Sequence, residues 1–536
     1  MTAAPAAASA AADAAALPAP EHRDWPALVV PAVVLAIAAA IIVAAMAGTT
    51  FFYDEWIWIM QRRSFNEASL LEPFNNHLMA MPIATFAVFY RIFGLESPFP
   101  YQLALLAGHL ATCGLLYVYL RRRIGWVVAL AGAAALAFFG YTWPVIIWPI
   151  SLGWVYATTA GIAALLLVDR NTRRSDVGAM AALLVGIASS GIAVPFVIGL
   201  GVDLALRRAW RRLYVTLVPL GVFGAWYLGY ATGTSDSGSV GDVVEFAEKL
   251  LAQTFGTLLG VDDRGTAAHV VLAIGFVAIV VLWFALGRPH SPRLVGNAAS
   301  LASFMVLLSY SRATSGLTQW HSYAAAVFVL LTLGELLAGR SIPLVPTVAL
   351  LAVVAWSIVW NLGELQEGSD LQRHRADEMR AQLAAVELVG RSMDPNVRVG
   401  RFLLETRAGP WLDVAVQYGS PAYSLEELHD APLHARRAAD RLLVRGSGVE
   451  LDGAMAAGVC SADPTADLPA GPLEITLQGT TSGGDVRAGV LTAGQTIGVV
   501  EPGQRVGVFL PGLGGGARWR LALDGSAELC TVTPAS

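Results

Sequence analysis

The sequence predicts an α-helical polytopic membrane protein with about eleven transmembrane helices, followed by a C-terminal β-rich domain outside the membrane. Three observations carry this. Apolar residues make up 55% of the 536-residue chain, and its mean hydropathy is +0.57, beyond the range of a soluble globular protein. Apolar stretches close to the roughly 20 residues that a bilayer requires recur as far as Asn361. From Pro395 onward they give way to short alternating runs punctuated by Gly and Pro, the pattern of strands.

Residues 1–26 open as MTAAPAAASAAADAAALPAP, Ala/Pro-rich and without an early Lys or Arg. That composition reads as a disordered cytoplasmic tail, not as a secretory signal. Over 27–362, spans are predicted near 27–48, 101–120, 126–142, 150–168, 177–188, 192–206, 213–230, 268–286, 295–310, 323–338 and 342–361. Arginines cluster at 121–123, 170–174, 207–212, 288–293 and 340, and the positive-inside tendency assigns those loops to the cytoplasm. This sidedness imposes two choices. Met79–Phe93 is short and must lie in the outer interface, because counting it as a crossing would put Arg121–Arg123 outside. The segment 177–206 must enter and return, broken at Ser189, Ser190 and Gly191. Unwound backbone at membrane depth survives only where protein or water covers it, so the break is expected to line a cavity. The expected result is a multi-pass plasma-membrane protein with its N-terminus cytoplasmic and its C-terminal domain extracytoplasmic.

Three outer segments stand out. The loop region 49–100 begins with a polar island, FFYDEWIWIMQRRSFNEASLLEPFNNHL, which gathers Asp54, Glu55, Arg62, Arg63, Glu67, Glu72 and His77 in a chain that is only 14% charged. Val243–Leu259 puts Glu245, Glu248, Lys249 and Gln253 on one helical face, as either an interfacial helix or a plain loop helix. Ser311–Tyr323 brings Arg312 and His321 to the same outer surface. Residues 363–394 read as a helical connector, and 395–536 as a β-sandwich-like domain. Cys460 and Cys530 are candidates for a disulfide there, whereas Cys113 falls in a span as inert packing. Trp411 and Trp519 suit sugar stacking, but a Trp in a β-domain is more often core.

Neighbouring Asp54 and Glu55 point about 100° apart on a helix, so at most one faces a central site. Asp54 is the candidate general base, its carboxylate partly desolvated at the membrane surface. Glu72 and His77 are candidates to hold an acceptor hydroxyl or relay a proton. Arg62, Arg63 and Arg312 suit a phosphate. The competing reading is that these are ordinary loop charges beside a membrane.

The runs YDEW, EPFNNHLMAMP and FAVFYRIFGLESPFPYQLALLAGHLATCGLLYVYLRRR resemble the opening of GT-C-type membrane glycosyltransferases. They are most similar to protein O-mannosyltransferases and related enzymes that use sugars on polyprenyl phosphate. GIASSGIAVPFVIGLGVDLALRRAWRR is similar to the short hairpin of that family. The resemblance covers residues 45–125, and 150–230 loosely; it does not reach the β-domain. It implies Asp54 as base or site anchor, with His77 and Glu72 beside it. Glu55, Arg62, Arg63, Arg312 and His321 are candidate substrate contacts from the residues themselves, with WHSY standing in the general place where the family often carries a basic-aromatic motif. The implied reaction moves a sugar, with inversion, from a polyprenyl-phosphate donor to a hydroxyl on cell-envelope glycan, lipid or protein. A divalent metal is possible, with Asp54 and Glu72 as ligands, but no metal-ligand set stands out in the sequence. His109, in mid-span, reads as a hydrogen bond between helices in preference to a catalytic group.

Two other functions remain open: a non-catalytic scaffold whose outer domain binds envelope glycan, and a transporter of lipid-linked glycan. Transport calls for broken helices in an internal repeat and charge deep in several spans, and the chain shows one broken hairpin. A net charge of −5 without basic bias argues against nucleic acid as a partner. The chain has no Walker loop and no zinc spacing.

Overall fold

The structure, a computed structural model, describes residues 25–534 except 231–238, 262–266, 268, 271–274, 276–290, 315, 341, 453–464, 469–470, 481–483, 493 and 524–526. The chain opens with α1 (Pro26–Met46), then α2 (Asp54–Gln61), α3 (Glu67–Leu71) and α4 (Ala80–Phe93). Next come α5 (Phe99–Ile124), α6 (Trp126–Ala137), α7 (Trp143–Ile146), α8 (Leu152–Val168), α9 (Arg173–Ile187), α10 (Ala193–Leu206), α11 (Tyr214–Tyr230) and α12 (Val240–Leu258). After them stand α13 (Pro292–Arg312), α14 (His321–Leu336) and α15 (Leu344–Val389).

Among the described residues, six helices have the length and apolarity to cross a bilayer, against the eleven predicted spans. The difference has a structural origin. Predicted spans 177–188, 192–206, 213–230 and 323–338 form helices of 15, 14, 17 and 16 residues, below the roughly 20 of a typical crossing. The predicted span 268–286 lies largely outside the described residues. The break at 188–192 is present, with α9 ending at Ile187 and α10 starting at Ala193. Helix α4 buries Ile83, Phe86, Ala87 and Tyr90 and leaves apolar Met81, Val88, Ile92 and Phe93 exposed, so both of its faces are largely apolar.

Small residues set the helix spacing near the break. A Cβ on Gly199 of α10 would lie 1.9 Å from Ser300 Oγ and 2.3 Å from the Gly296 carbonyl of α13, so only glycine permits this approach. Polar contacts hold the ends. His109 reaches Tyr323 Oη at 2.9 Å, the interhelical hydrogen bond expected of it. At the opposite end from the polar island, Arg293 (3% exposed) pairs with Asp169 at 2.5 Å and with Asp203 at 3.3 Å. Asp203 also pairs with Arg207 at 2.7 Å, and Arg123 with Asp169 at 2.9 Å and with Glu335.

The last predicted span and the connector are one uninterrupted helix, α15, of 46 residues. Its Ser369 and Arg373 donate to the carbonyls of Ala44, Ala45 and Ala47, capping the C-terminus of α1. Residues 395–450, expected to open the β-domain, are instead mainly helical: α16 (Ala408–Tyr418), α17 (Leu425–Asp430) and α18 (Leu433–Gly446). In α18 the buried Ala435, Ala438, Ala439, Leu442 and Leu443 recur at helical spacing, a period of 3.6 that outweighs the Gly/Pro punctuation around it.

The strands follow: β1 (Leu451–Asp452), β2 (Thr465–Asp467), β3 (Leu473–Gly479), β4 (Gly484–Gly489), β5 (Gln495–Val500), β6 (Arg505–Leu510), β7 (Arg520–Leu523) and β8 (Ala527–Pro534). They form two four-stranded antiparallel sheets, ordered β1-β6-β3-β8 and β2-β7-β4-β5. Asp440 of α18, wholly buried, accepts the N–H groups of Val490, Leu491 and Thr492 and so fastens the helical block to the sheets. Trp411 and Trp519 are both core residues, at 0% and 2% exposure. Cys530 is disulfide-bonded, and Cys460 lies outside the described residues.

Candidate active site

The polar island folds into α2, α3 and a tight turn. Tyr53 precedes α2 with φ 51°, a strained value for a bulky residue, held by its N–H donating to the Phe402 carbonyl at 3.0 Å. The helical step then separates the two acids. Asp54 faces a polar cavity of about 340 Å³, whose walls include Asn75, His77, Trp148, Arg312, Trp320 and His321. Glu55 turns inward, is fully buried, and accepts the Phe52 N–H through Oε2 at 2.7 Å. Burial pushes the Glu55 carboxyl up to about 8, against the pull of the Phe52 N–H. Burial also raises Asp54, opposed by the Asn75 amide and by Arg312.

Asn75 and Asn76, at φ 48° and 65°, form a two-residue turn between Phe74 and His77, which exchange backbone hydrogen bonds at 2.9 Å each way. Both central residues have positive φ, as in a type I′ hairpin, a conformation Asn tolerates better than most residues. The turn aims Asn75 Nδ2 at Asp54 Oδ2, 3.2 Å away, and sets His77 in the cavity wall. Burial and the Arg312 charge lower the His77 imidazole to about 4, so it is neutral at pH 7.

Arg62 braces this turn by donating to the carbonyls of Glu72 (2.8 Å) and Pro73 (3.0 Å). The Glu72 side chain is exposed and is not part of the cavity wall. Arg63 lies 5.9 Å from the Tyr418 ring centre. The structure therefore brings Asp54, His77, Arg312 and His321 together, and does not bring Glu55, Arg62, Arg63 or Glu72 to the cavity. The first four converge because α2, the Asn-Asn turn, the end of α13 and the start of α14 meet there; the others are turned away by the helical step or used by the loop's own backbone.

His321 is committed to its neighbours. The Trp320 indole N–H lies 3.2 Å from Nε2, and the Thr318 backbone N–H and Oγ1 lie 3.3 and 3.1 Å from Nδ1. Both ring nitrogens are engaged by neighbouring residues, so the ring orients the cavity wall. Asp54 is the one carboxylate lining the cavity among the described residues, which also contain no cluster of three or more metal-ligating side chains. One oxygen of that carboxylate already receives Asn75. The donor set does not fit a divalent ion.

A second, apolar cavity of about 400 Å³ adjoins the first and shares Asn75, His77, Leu308 and Arg312 with it. Its remaining walls include Ile192, Pro195, Phe223, Tyr227, Phe304 and Leu307. The helix break faces both spaces, Ser190 the polar cavity and Gly191 the apolar one. A Cβ on Gly191 would stand 3.1 Å from His77 Nδ1. Asn75, Trp148 and Trp154 are cavity-lining residues that sequence reasoning missed. The Asn-Asn pair was detectable, because such pairs favour tight hairpin turns.

Solved structures similar to this chain include two of one protein. One is the crystal structure of ArnT from Cupriavidus metallidurans bound to undecaprenyl phosphate, at 14% identity and TM-score 0.44, covering 73% of this chain and 85% of that one. The other is the same protein in the apo state, at 13% identity and TM-score 0.49, covering 90% and 98%. No family model matches the chain, and no curated protein does.

Proposed function

We propose that this protein is a membrane glycosyltransferase that moves a sugar from a polyprenyl-phosphate donor to a hydroxyl acceptor outside the cytoplasm. One observation carries the reading: a cavity holding a carboxylate and an arginine shares a wall, Arg312 included, with a second cavity lined largely by apolar side chains. A lipid phosphate sugar has that same division. Its isoprenoid chain suits the space beside Phe223, Phe304 and Leu307, its phosphate suits Arg312 at the junction, and its sugar suits the Trp-lined polar side.

Asp54 takes the proton of the acceptor hydroxyl as that oxygen attacks the anomeric carbon. The bond from carbon to the phosphate oxygen breaks with its electron pair, and the lipid monophosphate departs against Arg312. Attack opposite the leaving group inverts the anomeric centre. Asn75 holds Asp54 in place, and neutral His77 offers a hydrogen bond without adding charge. Positioning and charge stabilisation supply most of the rate, as no covalent intermediate is required.

The test is transfer in membranes from a panel of radiolabelled polyprenyl-phosphate sugars, for wild type and Asp54→Asn. Removing a general base is expected to cost about 10²–10⁴-fold. Wild-type transfer that survives in an inserted, folded Asp54→Asn variant removes Asp54 from this role. Absence of transfer from every donor favours the scaffold reading.

A further inference from the structure

Away from the polar cavity, the outer helical block carries a crevice of about 710 Å³. Four arginines line it: Arg398 and Arg401 from the strap before α16, Arg441 and Arg445 from α18. Only Glu378 and Glu405 oppose them, and Glu378 is spent on Arg401 at 3.3 Å. Neither Arg398 nor Arg441 has an ion-pair partner among the described residues. Gln382, also on the wall and 8% exposed, keeps Oε1 without a hydrogen bond.

The strap links this crevice to the catalytic loop. Residues 398–407 close through the Arg398–Arg407 bridge, with the Val399 N–H donating to Thr406 at 3.1 Å and Glu405 at φ 58°. One side of the strap is crevice wall. On the other, the Phe402 carbonyl receives the N–H of Tyr53, the residue before Asp54, and the Phe402 ring lies 5.5 Å from that of Phe52. The Arg375 guanidinium sits 5.0 Å from the Phe52 ring and 5.4 Å from the Phe402 ring.

We propose that this crevice binds an acidic oligosaccharide, a part of the acceptor remote from the hydroxyl that reacts. The guanidinium groups select carboxylate or phosphate on the glycan. The volume exceeds what one small anion fills, and Gln382, Gln495 and Thr406 suit sugar hydroxyls. Binding there holds the strap, and with it the Tyr53–Asp54 backbone, so remote contacts feed the reacting centre. The acceptor role rests on the proposed transfer reaction; the binding site stands without it.

Binding is measured by fluorescence anisotropy on the full chain in detergent, without donor, using fluorescein-labelled trigalacturonate, maltotriose 6-phosphate and neutral maltotriose. Acidic sugars are expected to bind at least about tenfold tighter than maltotriose, and Arg441→Gln to weaken them about tenfold. Arg398→Gln is a second variant should Arg441→Gln misfold. Arg391→Gln, whose arginine pairs with Asp413 outside the crevice, is expected to leave binding unchanged. Carboxylate and phosphate sugars separate the two acidic sources, and tighter binding of either supports the site. Equal binding of maltotriose, binding of inorganic tripolyphosphate alone, or an unchanged Arg441→Gln overturns it. Because no donor is present, survival of transfer in Asp54→Asn, or absence of transfer from every donor, leaves this binding result standing on its own.

Discussion

Replacing Glu55 by Gln is expected to remove a pH dependence of stability that the wild type carries. The Glu55 carboxyl is fully buried and its titration lies at about 8, against an ordinary 4.5. Between those values the native carboxyl keeps a proton that the unfolded chain has released. Stability from this group is therefore complete below pH 4.5, falls as pH rises, and is gone above about 8. The whole shift corresponds to roughly 5 kcal/mol, or about 1.4 kcal/mol per pH unit inside the window. Gln retains an oxygen for the Phe52 N–H and cannot ionise. Thermal unfolding in detergent, followed by tryptophan fluorescence from pH 7 to 9, isolates the effect, since His77 titrates near 4 and is silent there. Wild-type melting should drop between pH 7 and 8 and then level, while Glu55→Gln stays flatter. Parallel profiles for the two proteins would refute the burial argument.

Asn75→Ala, which removes the amide bound to Asp54, is expected to lower transfer about fivefold with little change in melting; activity equal to wild type would show that Asp54 needs no such support. Arg293→Ala leaves Asp203 wholly buried with one arginine, Arg207, and deprives Asp169 of a partner. Loss of about 3–5 kcal/mol is expected, seen as a lower denaturation midpoint, while polar substitutions at exposed Arg391 change little.

What the sequence disclosed depended on how local the signal was. The helix break at Ser189–Gly191 was legible because arginines on both sides forced a return, and its place beside the cavities follows from the same constraint. Asp54 was legible for a similar reason: the 100° step admits one of two neighbouring acids, and the structure buries the other. Arg62 was misleading, because charge density along the chain does not show that a guanidinium will be used by backbone carbonyls ten residues later. The convergence of Arg312 on Asn75 and Asp54 joins segments more than 230 positions apart, with Arg312 Nη2 reaching the Asn75 carbonyl at 3.4 Å. Helices α16–α18 were hidden by glycines and prolines that lie between elements and do not interrupt them.

Helix α15 has a geometric consequence. At 46 residues it is about 69 Å long, more than twice the roughly 30 Å of a hydrocarbon core. It behaves as a keyed mast: rooted among apolar helices, pinned to the end of α1 by Ser369 and Arg373, and meshed through Arg375 with the Phe52–Phe402 pair. A rod without a joint transmits rotation as well as height. Deleting one residue below Ser369 would turn everything above by about 100° and lower it by about 1.5 Å. The teeth at Ser369, Arg373 and Arg375 would then miss their sockets together. The length of this helix, counted in residues, is thus a gear ratio: it sets which side of the C-terminal block faces Asp54.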